Sequence, residues 1–155
     1  MDSRLRKILG SFLLCCLPFS AFASLGGNAE PIATDQSELQ ATMQTASQIP
    51  TMPSYSVRQM MLPKGTVVRE YVTANQVFGV AWTGAYMPNL KTLLGDVNYQ
   101  IYLNALVLNK TPRQRTFSLD KPDVVIHAEG LPGHFKGQAY LPYLLPQGVT
   151  AADIR

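Results

Sequence analysis

Residues 55–84, YSVRQMMLPKGTVVREYVTANQVFGVAWTG, decide the fold. Two runs, 55–62 and 66–73, are rich in β-branched and large apolar residues, and Pro63-Lys64-Gly65 joins them as a short hairpin connection. Ala74-Asn75 then turns the chain into a third run, 77–83. The expected product is a three-strand antiparallel meander. Along its middle strand Val67, Arg69 and Tyr71 share one face and Val68, Glu70 and Val72 the other, so each face carries one charge and neither charge is cleanly buried. Trp82, on the third strand with Phe78 and Val80, reads as core.

Beyond Gly84 the apolar period changes. Pro88 can open a short helix over 89–94 that Gly95 ends, and Asp96 can cap a second helix whose Ile101, Ala105 and Leu108 lie on one face. Residues 110–121, KTPRQRTFSLDK, form the most basic segment, but the cations are spread along a stretch containing Pro112, and it reads as a solvated connector. A strand pair follows, 123–129 and 134–141. Pro142-Tyr143-Leu144-Leu145-Pro146 cannot pair as a central strand and is expected to tuck under the sheet. Thr150 and Asp153 resemble a helix start.

The strand pair holds both histidines of the chain, in HAEGLPGH, residues 127–134. If Glu129 pairs with His134 across a four-residue loop, Ala128 faces Phe135 and His127 faces Lys136. One face then carries Val125, His127, Glu129, His134, Lys136 and Gln138, and the other Val124, Ile126, Ala128, Phe135 and Ala139. In that register His127 and His134 are diagonal neighbours at about 7 to 8 Å, with Glu129 beside both. His127, Glu129 and His134 therefore make a conceivable zinc ligand set. Any amphipathic hairpin also presents polar residues on its wet face, and Lys136 beside the supposed cation would repel it, so the solvent-face reading is preferred.

At the other end, MDSRLRKILGSFLLCCLPFSAFA places Arg4, Arg6 and Lys7 before an apolar run that closes on Ala21-Phe22-Ala23. This is the form of a secretory signal cleaved after Ala23, and the run falls short of the roughly 20 residues of a membrane span. Removing residues 1–23 takes three of the 13 Lys+Arg and one of the 10 Asp+Glu, and the formal charge of +3 becomes 10 − 9 = +1. Little electrostatic ground then remains for binding nucleic acid. Both cysteines, Cys15 and Cys16, leave too, so no disulfide or cysteine-based site is expected in the remaining 155 − 23 = 132 residues. Residues 24–34 read as a flexible leader. Asp35 and Glu38 then suit the start of a helix over about 36–47, which Pro50 and Pro53 cannot continue.

The signal ending AFA, then SLGG, GTVVREYV, VFGVAWTG, PNLKTLLG, AYLPYLLPQGV and a final ADIR together resemble a family of small exported bacterial proteins known only as domain of unknown function 2844. The resemblance covers nearly all of the chain after the signal. It implies export in a Gram-negative-type bacterium and a single small domain, and it brings no catalytic residue, substrate or cofactor.

Enzymatic readings find little support in the residues themselves. No Gly-x-Ser-x-Gly elbow accompanies the histidines, the nine remaining acids are scattered, and no phosphate-cradling glycine loop is present. Tyr86, Tyr99, Tyr102, Tyr140 and Tyr143 lie near predicted element ends, where rings meet ligands or simply pack. The expectation is therefore one α+β domain over 35–155: an antiparallel sheet of about five strands, made of the meander plus the C-terminal hairpin, with helices packed on one face. Functionally it is expected to be a non-enzymatic periplasmic or extracellular accessory protein, without cofactor, binding an envelope protein or a small ligand. The alternative is a small metal-binding protein or metal-dependent enzyme using the face of His127, Glu129 and His134.

Overall fold

The computed structural model describes residues 24–29, 42–43, 55–108 and 115–155. The expected meander is present as β2 (Ser56–Met61), β3 (Val67–Thr73) and β4 (Gln76–Gly84), and the C-terminal hairpin as β6 (Val125–Leu131) and β7 (His134–Tyr140). Two further strands raise the count above five. A two-residue strand β1 (Thr42–Met43) lies along β2, and β5 (Thr116–Asp120) lies along β6. All pairs are antiparallel, in the order β1-β2-β3-β4-β7-β6-β5.

β5 corrects the reading of 110–121 as connector. Its residues alternate, with Phe117 and Leu119 toward the core and Thr116, Ser118 and Asp120 toward solvent, the pattern of a half-buried strand. A helix over 36–47 is likewise not what residues 42–43 form. The rest of that stretch lies outside the described residues, as do residues 1–23, where a signal is expected, residues 30–34 of the expected leader, and residues 109–114.

Helix α1 (Leu90–Leu108) covers one face of the sheet and is broken at Gly95, where φ is 74° and ψ 163°, a conformation open essentially to glycine alone. The two helical pieces expected on either side of Gly95 are thus both present. Asn89 caps the first, its Oδ1 accepting from the N–H groups of Lys91 and Thr92. Beneath the helix lies the main core. Leu90, Leu93, Leu94 and Ala105 pack on Val68, Val80, Trp82, Ile126 and Ala139. Trp82 is directly opposite Gly137 on β7, and a Cβ on Gly137 would sit 2.2 Å from the indole Cζ2; the bare backbone makes room for the ring.

The second face is half covered. Between Tyr71 and Val72 the β3–β4 register shifts, a bulge that turns Phe78 away from the helix onto the face of Tyr71 and Ala81. Over these residues runs the last part of the chain, with short 3-10 turns at Pro142–Leu144 and Ala151–Asp153. It sets Leu145, Val149 and the fully buried Ile154 on Tyr71 and Phe78. Tyr71 Oη donates to Arg155 O at 2.8 Å and accepts from Arg155 N at 2.9 Å. The segment after β7 thus does tuck under the sheet. Asp153 Oδ2 accepts from Thr150 N and Thr150 Oγ1 and fixes the final turn.

Two readings of the meander and leader are corrected. Glu70 is buried on the helix face, opposite Arg58, whereas Arg69 stays half-buried on the other face. Residues 24–29 are not a free leader: Leu25 is buried in the main core and its N–H donates to Leu93 O. Gly26 N donates to Val77 O, Ala29 N to Asn75 O, and Asn98 Nδ2 to Leu25 O. The glycines allow this close approach where a flexible tail was expected.

Candidate functional site

The turn between β6 and β7 decides where the candidate residues fall. It holds two residues, Pro132 and Gly133, rather than four: proline fixes the first φ and Gly133 supplies a positive one, 83°. Leu131 therefore pairs with His134, Glu129 with Lys136 and His127 with Gln138. The register moves by two positions, so every side chain keeps the face expected of it while its neighbours change. His127 now lies level with a residue four positions along β7 from His134, roughly 13 Å at about 3.3 Å per residue. Among the described residues no group of three or more His, Cys, Asp or Glu is placed to hold a metal ion.

His127 belongs instead to a small polar cluster with the edge strand. It sits opposite Ser118, and its Nε2 lies 2.9 Å from Asp120 Oδ1. Ser118 Oγ donates to Asp120 Oδ2 at 3.0 Å. The carboxylate is the hub, whereas a hydrolytic triad needs the imidazole between acid and hydroxyl. Hydrogen bonds first from His127 and then from Ser118 hold the Asp120 carboxyl below its usual range. Because the folded value is depressed, the cluster's contribution is present above the ordinary aspartate pKa and is lost as pH falls through the depressed one. His127→Ala is expected to return the Asp120 carboxyl toward the ordinary range in a carbon-detected NMR titration, and an unmoved midpoint would remove the pairing as its cause.

Glu129 and His134 border something different. At the end of the sheet where β4 finishes, β5 begins and the hairpin turns, an open groove of about 650 Å³ runs between Thr83 and Gly84 on one side and Arg115 and Thr116 on the other. Glu129, Leu131, His134 and Lys136, which share one face of the hairpin, border it, as does Phe135, whose registered partners are Gly84 and Gly130 on the other face. Sequence reasoning singled out Glu129, His134 and the neighbouring Lys136 but did not bring Arg115 and Thr116 to the same end of the sheet. The alternation in TFSLD was the available signal for the β5 pairing that brings Arg115 there.

The tyrosines separate by environment. Tyr102 stacks with Tyr99 and meets Phe117 edge-on at 4.8 Å, and burial pushes its phenol up. Tyr140 is half-buried, its phenol raised first by burial and then by Asp120. These three pack. Tyr86 and Tyr143 are exposed, Tyr86 with the Lys64 ammonium 5.2 Å from its ring centre. A smaller hollow of about 300 Å³ lies at the helix break, between Ser24 and the Lys91–Asp96 ion pair.

A family model described as a protein of unknown function (DUF2844) matches residues 21–154. No curated protein and no solved structure matches the chain.

Proposed function

The chain belongs to this family of proteins of unknown function, and we propose that it is an exported, non-enzymatic binding domain whose ligand site is the groove at the β6–β7 turn. The groove is the observation that carries the reading. Its volume falls within the roughly 300 to 1,000 Å³ of small-molecule sites, and its walls come from paired strands, which hold a binding surface in place better than loops do. Support for export lies in Arg4, Arg6 and Lys7 ahead of a short apolar run and in the Ala21-Phe22-Ala23 close. The non-enzymatic reading is supported by the polar cluster, in which Ser118 is tied to the carboxylate and not to the imidazole.

Expression of the full chain in a Gram-negative host, followed by fractionation and intact-mass analysis, is expected to yield a periplasmic or medium product beginning at Ser24. A full-length chain kept in the cytoplasm would sink the export half of the reading. The metal alternative at His127, Glu129 and His134 has its own measurement. Since the register separates the two histidines and Asp120 occupies His127 Nε2, the imidazole NMR signals should stay in place under micromolar zinc. Joint shifts of His127 and His134 would restore the alternative.

A further inference from the structure

Ser24, the residue after the expected cleavage point, stands in the hollow at the break of α1. The hollow, of about 300 Å³, is lined by Ser24, Lys91, Thr92, Gly95 and Asp96. Gly95 keeps the place open, because a Cβ on it would come within 2.9 Å of Ser24 Oγ and 3.1 Å of Ser24 Cβ. The backbone nitrogen of Ser24 is two bonds from that Cβ. Hydrogen bonds hold the residue where it is: Leu25 N donates to Leu93 O at 3.0 Å, and Gly27 N to Ser24 O at 2.6 Å. Asn98 Nδ2 donates to both Leu25 O and Leu94 O, tying the segment to the two pieces of the helix. The charged residues of the lining are Lys91 and Asp96, paired Nζ to Oδ1 at 3.3 Å. One lysine does not saturate this carboxylate, since two oxygens offer about four acceptor positions.

From this placement we infer that the hollow is the seat of the α-ammonium group that signal cleavage frees on Ser24, with Asp96 as its counter-ion. The inference rests on the export reading and its cleavage after Ala23. In that step the signal peptidase of the export machinery adds the hydroxyl of water to the Ala23 carbonyl. The C–N bond breaks, Ala23 leaves as a carboxylate, and the Ser24 amine keeps the protons. A neutral amide nitrogen is thereby exchanged for a cation beside an acid, and processing adds an electrostatic tie that the uncut chain lacks. Lys91 is the competitor for the same carboxylate.

The test compares two purified chains, each released from a fusion partner: 24–155, which contains every described residue, and the same chain with two glycines ahead of Ser24. The glycines move the ammonium by up to about 7 Å and add no side chain. The chain beginning at Ser24 is expected to melt about 1 to 4 °C higher at pH 6, the range for one exposed ion pair in a domain of this size. The advantage needs the protonated amine, so it should be gone at about pH 9.5, past the ordinary α-amino value of about 8. Asp96→Asn should abolish the difference and Lys91→Met should widen it. Equal melting of the two chains at pH 6 would overturn the inference. So would an advantage that survives at pH 9.5 or in Asp96→Asn, which would make the effect steric and not ionic. The pH comparison is read on chains without substitutions, so the outcome does not hang on a variant folding. A fractionated product beginning elsewhere than Ser24 counts against the export reading's cleavage site, whereas equal melting counts against the seat alone.

Discussion

Replacing Gly137 with alanine is expected to cost the domain about 3 kcal/mol, the upper end of ordinary overpacking. The new Cβ would meet Trp82 Cζ2 at 2.2 Å and Cε2 at 2.5 Å, with the carbonyl oxygen of His127 at 2.8 Å behind it. The indole has little room to retreat, since Trp82 is 2% exposed and packed in the main core. The adjoining backbone is fixed as well, because β7 is paired on both sides. Urea denaturation followed by far-ultraviolet circular dichroism measures the loss, and Trp82→Phe, which removes the offending ring, should recover part of it in the double variant. A Gly137→Ala midpoint close to that of the unaltered chain would show that the ring and the glycine are not coupled.

Ile154→Ala is the second large effect, at about 2–4 kcal/mol for truncating a fully buried isoleucine. Ile154 sits over Gly79, where a Cβ would come within 3.0 Å of its Cδ1, and against Tyr71, Phe78 and Ala81. Its loss opens the far side of the sheet, so amide exchange should rise along β3 and β4 as well as in the final turn. Tyr71→Phe offers an independent check, since it removes the hydroxyl bonded to Arg155 and leaves the ring. If Ile154→Ala changed neither stability nor exchange, the last residues would be an appendage and not a layer of the fold.

The meander and the hairpin were legible because their signals are local: β-branched runs broken by Pro-Lys-Gly, Ala-Asn and Leu-Pro-Gly turns. Side-chain faces were legible too, even for β6 and β7, because a register slip of two positions preserves parity. What local pattern does not carry is the number of residues in a turn. Gly130 could have closed the loop, but it continues the ladder, and its N–H donates to Arg115 O. That bond depends on β5, five residues long and set in a basic stretch with a proline, where propensity alone gives a weak signal. Missing β5 hid the polar cluster and the groove together, since Ser118 and Asp120 enter one and Arg115 and Thr116 the other.

Residues 24–29 were misread for a related reason. SLGGNA is small and polar, the composition of a loose end, and its partners lie far along the chain. Nothing within a ten-residue window distinguishes a glycine pair that stays free from one that admits close backbone packing. The buried Glu70 falls in the same class: its face was evident from alternation, whereas the depth of that face depends on a helix 20 and more residues later.

The seating of residues 24–29 also imposes an order of events on synthesis. Leu25 waits for Leu93, and for Asn98, which lies 73 positions on. A chain made from its amino end exposes the opening segment long before the groove of atoms that will hold it exists, and closing so long a loop costs entropy that only the finished helix offsets. Residues 24–29, made early, are therefore among the last to settle. Until the helix is complete the amino end stays unlatched, and the fold closes on it from behind.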